Sequence, residues 1–356
     1  MKRVTIQDIA DALGVSRNTV SKAINNSDGL AEATREKILQ KAVEMGYKQF
    51  SYVAALSGSS AARFVPAGDP EPSAAASEIA VFSANLSLMS NHFAIPMLDR
   101  FKQELSQLGY TLNVYKVDRE NLAQHTLPAT FDLERAVAIM CIEMFDRAYD
   151  EMVCALGLPV LFVDGPHKRY GDSLPADQLL MDNTTGITKL VNELLGKGIR
   201  KIGFIGDYEH CQSFFERYVA FRSAMTLAGV PVDETFCIKQ HSADMDVPLS
   251  ALAELPEVFI CANDFIAVDT MQSLRKLGKT VPDDILLCGF DDAPESRIMT
   301  PALTTVHIHT QIMAFTALHL LLTRMKEPYL DYRTVYTATE LICRDSTKLT
   351  VKGSAK

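Results

Sequence analysis

The apolar residues nearest the amino terminus, Ile6, Ile9, Ala10 and Leu13, recur at i, i+3, i+4 and i+7, the spacing of one buried helical face. Thr5 precedes them and Asp8 follows three residues later, which predicts an N-cap with a capping box. Gly14 ends the predicted helix, Val15 stays apolar, and Ser16 caps a second helix with Val20, Ala23 and Ile24 turned inward. Arg17, Asn18, Ser21, Lys22 and Asn25 are left on its outer side. A third helix is predicted over about residues 31–45, with Ile38, Leu39, Ala42 and Met45 inside and Gly46 at its end. Two short helices joined by a turn of roughly three to four residues match the helix-turn-helix, whose second helix enters the major groove. The same spacing also fits a small helical bundle with a solvated polar face.

From Glu78 onward short apolar runs alternate with amphipathic stretches. IAVFSA, TLNVYKV, AVAIMCI, PVLFVD, KIGFIG, FCIKQ, VFICAND and DILLCGFDD read as strands. Helices are predicted over about 95–108, 185–197, 215–228 and from the end of VFICAND to Lys276. This βαβ rhythm implies parallel sheets with helices on both faces, an α/β core of two lobes. Lobe 1 is expected at about 78–180 and 309–334, and lobe 2 at about 181–308 and 335–346. The chain then divides into a helical headpiece (1–48), a short connecting element (49–57), a Gly-, Ser-, Ala- and Pro-rich linker (58–77), the core (78–346) and a tail (347–356).

Charge is unevenly shared. Residues 1–57 hold eight Lys/Arg and six Asp/Glu, a surplus of two positive charges, in a chain of formal net charge −9. An acidic body repels DNA, so only the amino-terminal module is expected to touch it. The modest headpiece charge favours a homodimer that places two headpieces on one pseudo-palindromic site. The seven Cys lack CxxC or Cys/His spacing, so neither a metal nor a cofactor is expected. Cys141, Cys154, Cys261, Cys288 and Cys343 lie in apolar runs and read as buried thiols of a cytoplasmic protein. There is no signal-peptide pattern and no apolar stretch long enough for a membrane span.

The segment TIQDIADALGVSRNTVSKAINN, followed by TREKILQKAVEMGY, resembles the headpiece of the lactose-repressor (LacI/GalR) family of bacterial transcription regulators. NDFIAVDTM, IGFIGD, VPDDILLCGFDD, PALTTVHIHTQ and ELICRDST resemble that family's regulatory core, in the family's order. The resemblance implies a DNA-binding regulator, more often a repressor, controlled by a small effector, a sugar or sugar derivative, bound between the core lobes. Arg17, Asn18 and Lys22 carry the donor geometry that reads guanine and adenine edges, and are the candidate base contacts. Thr5, Ser16, Thr19, Ser21, Asn25 and Thr34 are the candidate contacts to the DNA backbone. The resemblance further implies that residues 49–57 form a hinge helix, with Leu56 as a minor-groove wedge. This chain departs from the family there: Gln49-Phe50 replace the usual Pro-Asn, an Arg before the Leu is absent, and the tether is longer.

Ligands of open α/β folds bind beyond the carboxyl ends of strands. Asp164, Asn263 and Asp291 stand at such ends, and Arg217 stands near the start of a helix. By resemblance these four hold effector hydroxyls, with His92 and Phe93 as contacts from the first lobe. Carboxylates and a guanidinium grip diols bidentately. Asp264 reads as a helix cap and Asp292 as structural, while Ile308 stands where sugar-responsive relatives often carry a polar residue. No G-x-S-x-G, Walker loop or H-E-x-x-H is present, so an enzyme is not expected. The other reading is a solute-binding protein of the periplasmic type without a regulatory role.

Overall fold

The structure is a computed structural model that describes residues 5–24, 30–31, 34–35, 37–38, 41–42, 45, 77–84, 93–167, 173–240 and 245–348. The hinge element, Leu56, residues 58–76 of the linker, Asn25 and His92 lie outside the described residues.

Helices α1 (Ile6–Leu13) and α2 (Arg17–Ile24) form where the apolar spacing predicts them. Thr5 Oγ1 accepts from the Asp8 amide at 3.3 Å and Asp8 Oδ2 accepts from the Thr5 amide at 2.7 Å, a reciprocal capping box. Gly14 ends α1 at φ 65°, in the left-handed region that costs a Cβ-bearing residue energy. Ser16 Oγ accepts from the Thr19 amide at 3.0 Å and so starts α2. Thr34, Arg35, Lys37, Ile38, Lys41 and Ala42 are helical, within the expected third helix. Ile6, Ile9, Ala10, Val20, Ala23, Ile38 and Ala42 are buried together.

The chain forms two compact units, residues 1–165, 173–180 and 309–338 in the first and 166–172, 181–308 and 339–356 in the second. In the first unit β1 (Glu78–Ser83), β2 (Thr111–Lys116), β3 (Ala136–Ile142), β4 (Val160–Val163), β5 (Asp177–Met181) and β11 (Thr334–Thr337) form one sheet in the order β11-β5-β4-β3-β1-β2. The β2-β1-β3-β4-β5 ladder is parallel throughout. Its strands β1, β4 and β5 are buried along their whole length; the apolar stretches of β1 and β4 announced them, whereas β5, which opens on Asp177 and Gln178, was not read as a strand. Helix α3 (Ala94–Gln107) buries Ala94, Met97, Phe101 and Leu105, a single stripe. Helices α4 (Arg119–Gln124) and α5 (Arg147–Cys154) begin on the side-chain caps of Asp118 and Asp146. Asp177 ties the first unit together: its carboxylate accepts from Arg324 Nη2 at 3.1 Å and Arg333 Nη2 at 3.0 Å. Burial alone would raise its pKa, but hydrogen bonds from Arg324 and Arg333 hold it below the ordinary carboxylate range.

In the second unit β6 (Ile202–Ile205), β7 (Cys237–Ile238), β8 (Val258–Cys261) and β9 (Leu286–Cys288) form a parallel sheet in the order β7-β6-β8-β9. Around it run α6 (Thr185–Gly196), α7 (Gln212–Leu227), α8 (Asp246–Ser250), α9 (Asp264–Lys276) and α10 (Pro294–Ile298). Strands β10 (Thr305–Ile308) and β12 (Thr339–Ile342) pair antiparallel, an exception to the all-parallel expectation. Helix α11 (Thr310–Lys326) belongs to the first unit and buries residues around most of its circumference, so no amphipathic stripe announces it.

Three expectations need correction. The last crossover was expected before Val335, but β11 joins the first unit's sheet beside β5, and the chain changes units after Ala338. The tail was expected from residue 347, yet Thr347 is buried and its hydroxyl lies 2.7 Å from that of Thr304. Of the thiols expected to be buried, Cys343 is exposed and Cys154 is half-buried, whereas Cys211 is buried. Among the described residues no helix is long and apolar enough to cross a membrane, and no group of three or more His, Cys, Asp or Glu has metal-binding geometry.

Candidate nucleic-acid interface and effector site

At the start of α2, Ser16, Arg17 and Asn18 are exposed, and Thr19, Ser21 and Lys22 are half-buried. Val20 turns inward in the first turn of α2, while Arg17 and Asn18 stay exposed, where they can present donors to a groove. Thr5 is exposed and Thr34 half-buried. The Thr5 and Ser16 hydroxyls already serve their caps, so each would meet a phosphate while keeping a helix start in place.

In the second unit Arg217 projects from α7 and is almost fully buried, 3% exposed along its side chain. Its Nε donates to Asn183 Oδ1 at 2.9 Å and its Nη1 to the Ala262 carbonyl at 2.7 Å, just past the end of β8. The guanidinium carbon lies 3.5 Å from the ring centroid of Phe290. Nη1 is also 3.7 Å from Asp291 Oδ1, an ion-pair distance. Among the described residues Nη2 has no hydrogen-bond partner, which leaves a donor beside the Asp291 carboxylate. Such a donor–acceptor pair can hold two neighbouring hydroxyls at once.

Asp291 and Asp292 follow β9 with φ of 116° and 57°, a conformation that L residues rarely adopt and that Asp tolerates better than most. The turn re-aims Asp291 toward Arg217 and Asp292 the other way. Asp292 accepts from Arg344 Nη2 at 2.6 Å and Arg297 Nη2 at 2.6 Å, and lies 2.9 Å from His307 Nδ1. Burial would raise its pKa, but these cations and hydrogen bonds hold it well below the ordinary range. Asp292 is therefore the structural residue the sequence reading made it.

Asn263 is the N-cap of α9, its Oδ1 accepting from the Ile266 amide at 2.9 Å. That corrects the assignment of Asp264 as the cap. Asp264 is buried instead, taking a hydrogen bond from Thr305 Oγ1 at 2.6 Å and one from the Ala293 amide at 2.8 Å. Burial, together with the nearby Asp291 carboxylate, pushes its pKa well above the usual value. Gly289 is required here, because a Cβ would fall 2.1 Å from Asp264 Oδ1. Asn263 retains its amide NH2 as the group able to meet a ligand. Ile308, at the end of β10, is buried.

In the first unit Asp164 follows β4 at φ 54°, nearly buried, with its amide donating to the Leu179 carbonyl at 3.1 Å. Glu143 follows β3 in the same left-handed conformation, φ 52°. Phe93 stands immediately before α3 and is 8% exposed. The sequence reading did not single out Asn183 or Phe290. Asn183 is fully buried and bridges Arg217 to Glu216, to which its Nδ2 donates at 2.8 Å. Both stand beside strand ends, so the rule that found Asp291 could have found them. What it lacked was the knowledge that they touch Arg217.

A helix-turn-helix joined to two α/β units with parallel sheets is the architecture of a DNA-binding regulator built on a periplasmic-binding-protein-like core. Residues 5–49 match the model of bacterial regulatory proteins of the lacI family, and residues 191–347 match the periplasmic binding protein-like domain. The chain thus carries a lacI-family helix-turn-helix segment followed by a periplasmic-binding-protein-like segment. It is 24% identical to the HTH-type transcriptional repressor PurR of Photobacterium profundum over 97% of this chain and 98% of that one. It is 26% identical to the probable HTH-type transcriptional repressor ExuR of Bacillus subtilis, again over 97% and 98%. Its fold is similar to that of the transcriptional regulator CelR in complex with cellobiose, with a TM-score of 0.66, 22% identity and coverage of 97% and 100%.

Proposed function

We propose that this chain is a transcriptional repressor that reads operator DNA with α2 and is controlled by a small polyhydroxylated effector, a sugar or sugar derivative. The observation that carries the effector half is the buried Arg217 held against Asp291 at 3.7 Å, with a spare guanidinium donor beside a carboxylate. A guanidinium as buried as that of Arg217 is costly unless its donors are met, and ligand hydroxyls would meet the one that Asn183 and Ala262 leave. The neighbour CelR, solved with cellobiose, supports a sugar as the chemical class. Asp164, Phe93, Asn263 and His92 complete the proposed effector set, and Leu56 is the proposed minor-groove wedge.

Arg17, Asn18 and Lys22 are the proposed base contacts, with Thr5, Ser16, Thr19, Ser21, Asn25 and Thr34 on the phosphates. The protein acts as a cytoplasmic homodimer, because one headpiece with a surplus of two positive charges binds weakly and two on a pseudo-palindrome bind well. It has no enzymatic role in this reading. Effector binding shifts the DNA-bound population through its differential affinity for two states of the core. The test is a thermal-shift screen of the full chain against neutral sugars, uronates, sugar phosphates and nucleobases, since a bound ligand stabilises by mass action. A sugar should raise the unfolding temperature of the wild type and not that of Arg217→Ala. Stabilisation of both to the same extent removes Arg217 from the site.

A further inference from the structure

The small core of the headpiece is not closed by the headpiece alone. Ile312, in the first turn of α11, is 2% exposed and is buried in the same cluster as Ile6, Ile9, Ala10, Val20, Ala23, Ile38 and Ala42. Phe315, one turn further along α11, packs against that cluster from the side, together with Leu13, Val15, Leu30 and Met45. The ring of Phe315 is fixed from the other side by Arg100 of α3, whose guanidinium carbon lies 4.7 Å from the ring centroid. Arg100 is itself held by Glu104 at 2.6 Å. Gln311 anchors the same turn to α3, donating to the Pro96 carbonyl at 3.4 Å. Two apolar residues at i and i+3 on one helix thus form a dock whose other wall is rigid.

From this contact we infer that α11 is a docking surface for the chain's own headpiece, and that the core acts on the headpiece through it. Three features support this reading. A small helical module gains a substantial part of its stability from each added buried apolar contact. The docked arrangement leaves Arg17 and Asn18 exposed, so the edge that would read DNA is presented rather than covered. And Ile312 stands four residues beyond Ile308, where the chain passes from one unit to the other. A change in the core at that crossover moves the first turn of α11, and with it the headpiece.

This inference rests on the regulator reading only for its consequence. A direct apolar contact to α11 supplies a route from core to headpiece that does not run through residues 58–77.

The chain contains no Trp, so Phe315→Trp gives a single reporter at the dock. In the full chain its emission should be that of a shielded indole, weakly quenched by acrylamide. Removing the capping box with Asp8→Ala, which loosens the headpiece without touching α11, should shift the emission to the red and raise the quenching constant at least twofold. Unchanged emission and quenching overturn the proposal. The second measurement is amide hydrogen exchange on the full-length Ile312→Ser variant. Exchange in α1 and α2 should accelerate at least tenfold while β1, β3 and β8 stay protected as in the wild type. Headpiece exchange equal to that of the wild type overturns the dock. If Ile312→Ser fails to fold, Phe315→Ala is read in the same way, since Phe315 is only half-buried. Neither readout involves DNA or effector, so a failure here leaves the proposed function standing, and a failure of operator binding leaves the dock standing.

Discussion

Arg217 and Asp291 come together 3.7 Å apart although one lies on α7 and the other just beyond β9. Neither would be stable there alone, because a nearly buried guanidinium needs partners and a left-handed Asp needs a reason to hold its turn. Asn183, the Ala262 carbonyl and the Phe290 ring fix the guanidinium so that one donor remains for a ligand.

Arg217→Ala therefore has two effects. It should abolish the effector response while operator binding persists, and it should lower stability by about 1–3 kcal/mol because Asn183 and Ala262 lose a buried donor. Urea unfolding and a DNA-binding titration with and without effector separate the two. An effector response that survives the substitution contradicts the assignment.

Asp150 offers a test by pH. It is fully buried on α5, and among the described residues neither carboxylate oxygen has a hydrogen-bond partner. Burial, with further contributions from Asp146 and Glu151 that outweigh Arg147, pushes its pKa up to about 8. A raised acid binds its proton more tightly in the folded chain, so stability is highest below the ordinary carboxylate range. It declines as pH rises from there to about 8, and is flat beyond. Asp150→Asn should remove that decline and so gain in relative stability toward pH 8. Parallel pH profiles of the urea midpoint for the two proteins contradict the argument.

Asp292 titrates in the opposite sense. Its pKa is depressed by His307, Arg297 and Arg344 acting against burial. Its contribution is present above the ordinary carboxylate range and is lost as pH falls below that range through the depressed value. Asp292→Ala leaves Arg344 and His307 without their shared acceptor and should cost about 3–5 kcal/mol. A loss under ~1 kcal/mol in denaturant unfolding would mean the cluster is solvated.

Arg17→Ala and Lys22→Ala should each weaken operator binding by about 1–3 kcal/mol and relax the preference at one base pair. Anisotropy titrations against single-base operator variants check this. A uniform loss over all sequences, with a shallower salt dependence, would reassign the residue to a phosphate.

Much of this architecture was legible because the strands are buried on both faces. AVAIMCI and IAVFS are unbroken apolar runs for that reason, and the two are neighbours in the sheet. The capping residues Thr5, Asp8, Ser16 and Gly14 marked the headpiece helices because their chemistry is local. What stayed hidden was non-local. Only the single residue Ala338 separates β11 from β12, and nothing in either strand says that one pairs beside β5 and the other with β10. Asn263 and Asp264 are adjacent and both are good caps, so only the observed hydrogen bonds decide between them. Helix α11 escaped notice because it is buried nearly all round and carries no stripe. Of the candidate site, Asp291 was visible at a strand end and Arg217 near a helix start, with their roles implied by the resemblance, whereas Asn183 and Phe290 matter only through the residue they touch.

The central claim is that α2 reads DNA, and selection of binding sites by the full chain from a pool of random duplexes tests it most directly. The account predicts enrichment of one pseudo-palindromic sequence, bound with an affinity that falls linearly in log–log form as salt rises, and loss of that enrichment in Arg17→Ala. Recovery of no preferred sequence at low salt, or the same sequence with undiminished preference from Arg17→Ala, would contradict it.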